Sequence, residues 1–233
     1  MPPVDFHLLL VTDRTLLRGR SLASALRESV EAGVPAIQLR ERDLSTRELL
    51  SAAGQLHAMT QACGVPLIIN DRVDIAMALD LAGVHLRASS LPVSVARRVL
   101  GPHRLVGVSA HSVREVHQAG DDGADYVILG PIFETPSKRE FGAPLGLAAL
   151  ADACRRSSIP VFAIGGITCE RIAAARDAGA FGVAMIGGIL GREDVGRAAA
   201  EIQAAVRAAW TPHSRDDSYA GFCLKKKNPQ VGC

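Results

Sequence analysis

Residues 161–188 read VFAIGGITCERIAAARDAGAFGVAMIGG, and the order of their parts decides the fold. An apolar run at 161–165 leads into the glycine pair Gly165-Gly166. A segment of helical character follows, and Ala178-Gly179-Ala180 turns the chain. A second apolar run at 182–186 then ends in a second pair, Gly187-Gly188. This is a strand–helix–strand unit, the crossover that parallel strands require. The same unit recurs toward the N-terminus. Apolar runs at 7–12, 36–40, 66–70, 83–86, 105–109 and 126–130 complete a set of eight, spaced roughly 20 to 35 residues apart. Most are continuous rather than alternating, as strands are when helices cover one side and a barrel interior lies on the other.

The intervening segments carry apolar stripes of helical period. Leu22, Leu26 and Val30 fall at i, i+4 and i+8, and Leu49, Leu56 and Met59 follow less regularly. Small turns close them: Ala32-Gly33, Cys63-Gly64, Ala82-Gly83 and Gly123-Ala124. Eight such units predict an α/β chain of the (β/α)₈ TIM-barrel class, a single domain over residues 1–210. An open doubly wound sheet is the competing arrangement, but Gly-x-Gly-x-x-Gly is missing after the first run. Residues 211–233 are polar, hold two prolines and Lys225-Lys226-Lys227, and show no periodic apolar face. They predict a disordered tail outside the barrel.

With 48% hydrophobic and 21% charged residues the chain is neither disordered nor membrane-like. The formal charge is +2, and the signs nearly balance ahead of the lysine run, which excludes a nucleic-acid surface. No apolar stretch approaches the roughly 20 residues that span a bilayer. The early apolar run passes at once into Thr12-Asp13-Arg14, unlike a signal peptide. Five scattered cysteines without C-x-x-C spacing predict reduced thiols and a cytoplasmic setting.

In a barrel of this kind chemistry gathers at the C-terminal ends of the strands. Polar residues collect there: Gln38 and Arg40 in the second run with Arg42 just beyond, Asn70-Asp71-Arg72 at the end of the third, His85 in the fourth, and Ser109 at the end of the fifth, followed by His111. Alternation predicts that Gln38, Arg40 and Arg42 share one side of an extended chain. A long loop at 131–146 holds Thr135, Ser137, Lys138 and Arg139. Charged groups at a half-buried mouth are costly unless paired or bound to a ligand. The two glycine pairs stand where loops seven and eight of a barrel hold phosphate, through backbone N–H groups and helix N-termini. These features predict a site for a phosphorylated small molecule.

An ordered set of motifs narrows the expectation. Leu9, Val11-Thr12-Asp13, Gln38-Leu39-Arg40-Glu41, Ile69-Asn70-Asp71-Arg72, Gly83-Val84-His85-Leu86, Gly107-Val108-Ser109, His111-Ser112, Gly123-Ala124-Asp125-Tyr126, Gly130-Pro131-Ile132-Phe133 and Ala163-Ile164-Gly165-Gly166-Ile167 occur in that order. Together they closely resemble thiamine-phosphate synthase and its sister group, the thiazole tautomerases, over residues 7–200. The synthase joins hydroxymethylpyrimidine diphosphate to a thiazole phosphate, as its carboxylate. Diphosphate leaves first, and the thiazole nitrogen attacks the resulting carbocation. Such chemistry asks the protein to hold and neutralise a leaving diphosphate.

By position, the resemblance implies pyrimidine-diphosphate contacts at Gln38, Arg40 and Asn70, with Arg42 where the family has lysine. It implies a Mg²⁺ ligand at Asp71, a pyrimidine-lining residue at His85 and a diphosphate contact at Ser109. Thr135, Ser137 and Lys138 match a loop that closes over the substrates, with Lys138 at the diphosphate. Gly166 and Ile186 match backbone positions that hold the thiazole phosphate, and Gly187 stands where the synthase commonly has serine. Arg40, Ser109 and Lys138 are the expected catalytic set. One departure falls at Arg87-Ala88-Ser89-Ser90: Ser90 occupies the position of a second, acidic Mg²⁺ ligand, and Arg87 adds a positive charge. Ser89-Ser90-Leu91-Pro92 and Phe133-Glu134-Thr135 lean toward the tautomerase branch, but that branch has a catalytic histidine where Pro131 stands here. A tautomerase would need His85 or His111 as its base. A non-catalytic binder of thiamin-related phosphates is the third expectation. The implied partners are small phosphates, with neither nucleic acid nor membrane, and at most a homodimer.

Overall fold

The computed structural model of the chain describes residues 4–87, 89–135 and 143–211. Eight parallel strands, β1 (Leu8–Val11), β2 (Ile37–Leu39), β3 (Leu67–Asn70), β4 (Gly83–Leu86), β5 (Leu105–Ala110), β6 (Tyr126–Leu129), β7 (Val161–Ile164) and β8 (Gly182–Met185), close into a barrel in chain order. All eight expected runs are strands, most of them trimmed by a residue at one or both ends. The trimming matters at β2, which stops at Leu39 and leaves Arg40 just beyond the ladder. The expected alternation through Arg42 therefore does not apply past that point.

Helices follow the strands: α1 (Leu22–Glu31), α2 (Thr46–Ala62), α3 (Val73–Ala78), α4 (Val93–Leu100), α5 (Val113–Asp121), α6 (Gly146–Arg156), α7 (Cys169–Asp177), the short α8 (Gly187–Leu190) and α9 (Val195–Trp210). Their starts are written in the sequence. Ser45 caps α2 in a reciprocal box with Glu48, Ser112 caps α5, and Asp194 caps α9. The last helix packs on α1, α7 and α8, which closes the ring. His7, just before β1, stacks on Trp210 at 5.4 Å and fastens α9 to the barrel.

Two apolar layers result. Leu8, Leu10, Ile37, Leu39, Leu67 and Ile69 face the helices. Leu9, Val11, Ala36, Ile68, Tyr126, Phe162 and Ala184 fill the interior. Every strand is buried on both faces, so continuous apolar runs were required. The interior holds few large rings, and glycine makes room for them. Gly107 is level with His85 on β4 and with Tyr126 on β6. A Cβ on Gly107 would lie 2.1 Å from the Tyr126 ring. Its missing side chain lets two side chains from strands that are not neighbours meet.

No helix among the described residues is long and apolar enough to cross a membrane. The expected tail lies outside the described residues from 212 onward.

Candidate active site

On one side of the mouth, at the ends of β2 to β5, side chains converge. Gln38 is buried and donates from Nε2 to Asn70 Oδ1 at 3.3 Å. Its own Oε1 is buried without a hydrogen-bond partner among the described residues, an acceptor that calls for a donor. The Arg40 backbone N–H donates to Thr12 Oγ1 at 2.9 Å, which fixes the chain as it leaves β2. Burial lowers the pKa of the Arg40 guanidinium, and the neighbouring Arg42 lowers it further. Asp13 and Glu41 pull it back up, while Arg87 again lowers it. Arg42 and Arg87 thus both lie within electrostatic reach of Arg40, an arrangement that favours a bound anion.

Asp71 follows β3 in the left-handed conformation, φ 61°, which aspartate tolerates better than most residues. Its N–H donates to the His85 carbonyl at 2.9 Å, setting it beside the end of β4. Its carboxylate is fully engaged. Oδ2 accepts from Arg87 Nε; Oδ1 accepts from the Ser90 hydroxyl and, at 3.2 Å, from the Arg87 backbone N–H. That same N–H lies 2.9 Å from Ser90 Oγ, so the three residues form a closed cluster.

Beneath them His85 is fully buried, with Nε2 2.9 Å from Ser109 Oγ and Nδ1 3.2 Å from the Tyr126 hydroxyl. Burial lowers its pKa to about 3; Asp71 opposes this weakly and Arg40 adds to it. Burial also raises the Tyr126 phenol above its ordinary value, so the hydroxyl remains a neutral partner. The imidazole is uncharged at neutral pH and within hydrogen-bond distance of Ser109.

The other side of the mouth, at β6 to β8, is built from backbone. Ile132 N–H donates to Ile164 O at 2.8 Å and Phe133 N–H to Gly165 O at 3.0 Å, laying the loop after β6 against the end of β7. Leu145 N–H returns to Pro131 O at 2.9 Å and Gly146 N–H to Ile132 O at 3.0 Å, so the loop's two ends are clasped. Thr135 lies at the edge of the described residues; Ser137 and Lys138 lie outside them. Gly166 has φ +64°, and a Cβ there would come within 2.5 Å of Glu134 O and 2.8 Å of Phe133 Cβ. Arg171 Nη1 donates to Gly166 O at 2.7 Å, and its guanidinium sits 4.7 Å over the Phe133 ring. The N–H groups of Gly166, Gly187 and Gly188 donate to no backbone carbonyl among the described residues. Ile186 caps α8, so the last two belong to the first turn of a helix, where donors lack intrahelical acceptors.

Most of the expected residues therefore meet at one mouth. Sequence reasoning quoted Glu41 and Tyr126 within motifs but gave them no role; Glu41 is buried against Arg14 with its pKa raised by desolvation, and Tyr126 completes the His85 pairing. The alternation of 126 and 128 on an inward face was the signal for Tyr126. Glu41 stood in the Gln38-Leu39-Arg40-Glu41 motif, but no periodicity marked it as buried. Asp13 caps the turn that follows β1, accepting from Thr15 N–H at 3.1 Å. His111 Nδ1 lies 2.7 Å from Gly130 O.

A family model described as thiamine monophosphate synthase matches residues 8–189, from the first residue of β1 into α8. The chain belongs to the thiamine monophosphate synthase family. A thiamine-phosphate synthase of Chloroflexus aurantiacus is 43% identical over 203 residues, covering 87% of this chain and 94% of that relative. A putative thiamine-phosphate synthase of Geobacter sulfurreducens is 42% identical over 217 residues, 93% of this chain and all of its own length. The thiamine phosphate pyrophosphorylase from Pyrococcus furiosus superposes with a TM-score of 0.80 at 32% identity, over 87% of this chain and 96% of its own. The likeness thus extends to the whole barrel in sequence and in structure.

Proposed function

We propose that the chain is a thiamine-phosphate synthase, a transferase that couples hydroxymethylpyrimidine diphosphate to a thiazole phosphate and releases diphosphate. The observation that carries this is the family match, which spans every strand of the barrel. The mouth supports it. The bond between the pyrimidine methylene and the diphosphate oxygen breaks, and its electron pair leaves with the diphosphate. The thiazole nitrogen then supplies the pair for the new carbon–nitrogen bond; a carboxylate on the thiazole departs as carbon dioxide.

Arg40 and Arg42 stabilise the charge that develops on the leaving group, and Ser109, held by His85, donates to it. Gln38 and Asn70 orient the pyrimidine through the unpaired Gln38 Oε1. The N–H groups around Gly166, Ile186 and Gly187 hold the thiazole phosphate. By the family resemblance Thr135, Ser137 and Lys138 would contact the substrates, the last two lying outside the described residues. The low pKa of His85 argues against its use as the base of a tautomerase.

Mg²⁺ fits these residues poorly. Asp71 is already paired with Arg87, Ser90 brings no charge, and no group of three or more His, Cys, Asp or Glu among the described residues could hold a metal. The enzyme works in the cytoplasm on small phosphates, and a homodimer is its expected assembly.

The test is a coupling assay on purified protein that follows thiamine phosphate. Product is expected, and Lys138→Ala should reduce it at least about 100-fold. An intact, folded protein that forms none from both substrates would overturn the assignment.

A further inference from the structure

The cluster at the ends of β3 and β4 does more than neutralise a carboxylate. Asp71 spends both oxygens on Arg87 and Ser90. Arg87 meets it through Nε and its backbone N–H, while its two terminal nitrogens make no hydrogen bond among the described residues. The Arg87 side chain is 53% exposed and Asp71 only 16%, so the guanidinium fork lies on the open side of the pair. Arg87 is also close enough to Arg40 to depress that residue's pKa. Asp71 offsets the charge of Arg87, which leaves the outward-facing fork free to add to the field of Arg40 at a bound anion.

A divalent cation and a guanidinium satisfy a diphosphate differently. The cation needs several hard oxygen ligands of its own, and carboxylates supply them best. A guanidinium needs only one carboxylate to orient it, and offers two parallel N–H donors to phosphate oxygens. The residues present match the second requirement.

We propose, on the footing of the synthase assignment above, that Arg87 takes the place of a metal ion in this chain. Asp71 and Ser90 aim its guanidinium, its terminal nitrogens bind the diphosphate of the pyrimidine substrate, and diphosphate binding needs no divalent cation. Asp71 and Ser90 are then positioning residues rather than metal ligands.

The experiment is calorimetric titration of the full chain with inorganic diphosphate in EDTA, beside Mn²⁺ binding followed by electron paramagnetic resonance without diphosphate. The wild type should bind diphosphate in EDTA, and Arg87→Ala should weaken that binding at least tenfold. Arg87→Lys, which keeps the charge but loses the fork, should fall between them and covers the case of an unstable alanine variant. The wild type should show no saturable Mn²⁺ site, whereas Arg87→Ala combined with Ser90→Asp should acquire one. Diphosphate affinity indifferent to Arg87, or a saturable Mn²⁺ site in the wild type, would overturn the proposal. The coupling assay separates it from its parent. Thiamine phosphate formed in EDTA supports both, and product formed only with added metal overturns this inference alone. No product under either condition overturns the synthase assignment, while the diphosphate affinities still decide the role of Arg87.

Discussion

The two halves of the barrel mouth offer an anion different groups. From β2 to β5 the work falls to side chains: Arg40, Arg42 and Arg87, with Ser109 held from below by His85. From β6 to β8 it falls to backbone N–H groups, among them that of Gly166, where a Cβ would lie 2.5 Å from Glu134 O. Guanidinium groups carry full charge and suit an anion whose charge grows as it leaves. Backbone donors carry partial charge in fixed positions and suit a phosphate that stays unchanged from substrate to product. Under the proposed function the first half suits the leaving group and the second the anchor.

Arg40→Ala should break this contrast most severely. Losing a half-buried cation at the leaving group should lower kcat/KM at least about 100-fold, as steady-state kinetics would show. A loss below threefold would mean that the side-chain half does not serve the diphosphate.

Gly166→Ala sharpens the contrast from the opposite half. A side chain at φ +64° and 2.5 Å from Glu134 O forces the loop to shift. KM for the thiazole phosphate should rise about tenfold, an effect on the order of 1.4 kcal/mol, with diphosphate affinity unchanged. Equal effects on both substrates would show that the halves are not independent.

A further effect, outside catalysis, is one of pH on stability. The folded His85 ring stays neutral down to about pH 3, whereas in the unfolded chain it gains a proton near its ordinary value of 6.5. Below that value the unfolded state binds more protons, so the stability associated with the neutral ring is lost as pH falls. The slope reaches about 1.4 kcal/mol per pH unit. Urea unfolding at pH 7 and pH 5 should show a shallower loss in His85→Gln than in the wild type. Glu41, with its pKa raised, acts in the opposite sense, but it is common to both proteins and cancels. Parallel losses would mean that His85 is not held neutral.

The barrel was legible in the sequence because strand burial and helix period are local properties. Runs such as 126–130 and 161–165 had to be apolar throughout to lie between helices and interior, and the glycines that end the β7 and β8 runs sit where the chain turns. The strand-end residues were legible for the same reason, since strand position alone places Gln38, Asn70, His85 and Ser109 toward one mouth. Partners are not a local property. Arg87 and Asp71 are sixteen residues apart, and His85 and Tyr126 forty-one. Only the register of β4, β5 and β6, with Gly107 leaving room between them, brings the latter pair together. Likewise only the close approach of the β3 and β4 ends turns an arginine that merely added charge in the sequence into the partner of Asp71. Composition and period determine which residues reach the mouth; closure of the barrel decides which of them touch, because contact depends on register and on the space that neighbouring side chains leave.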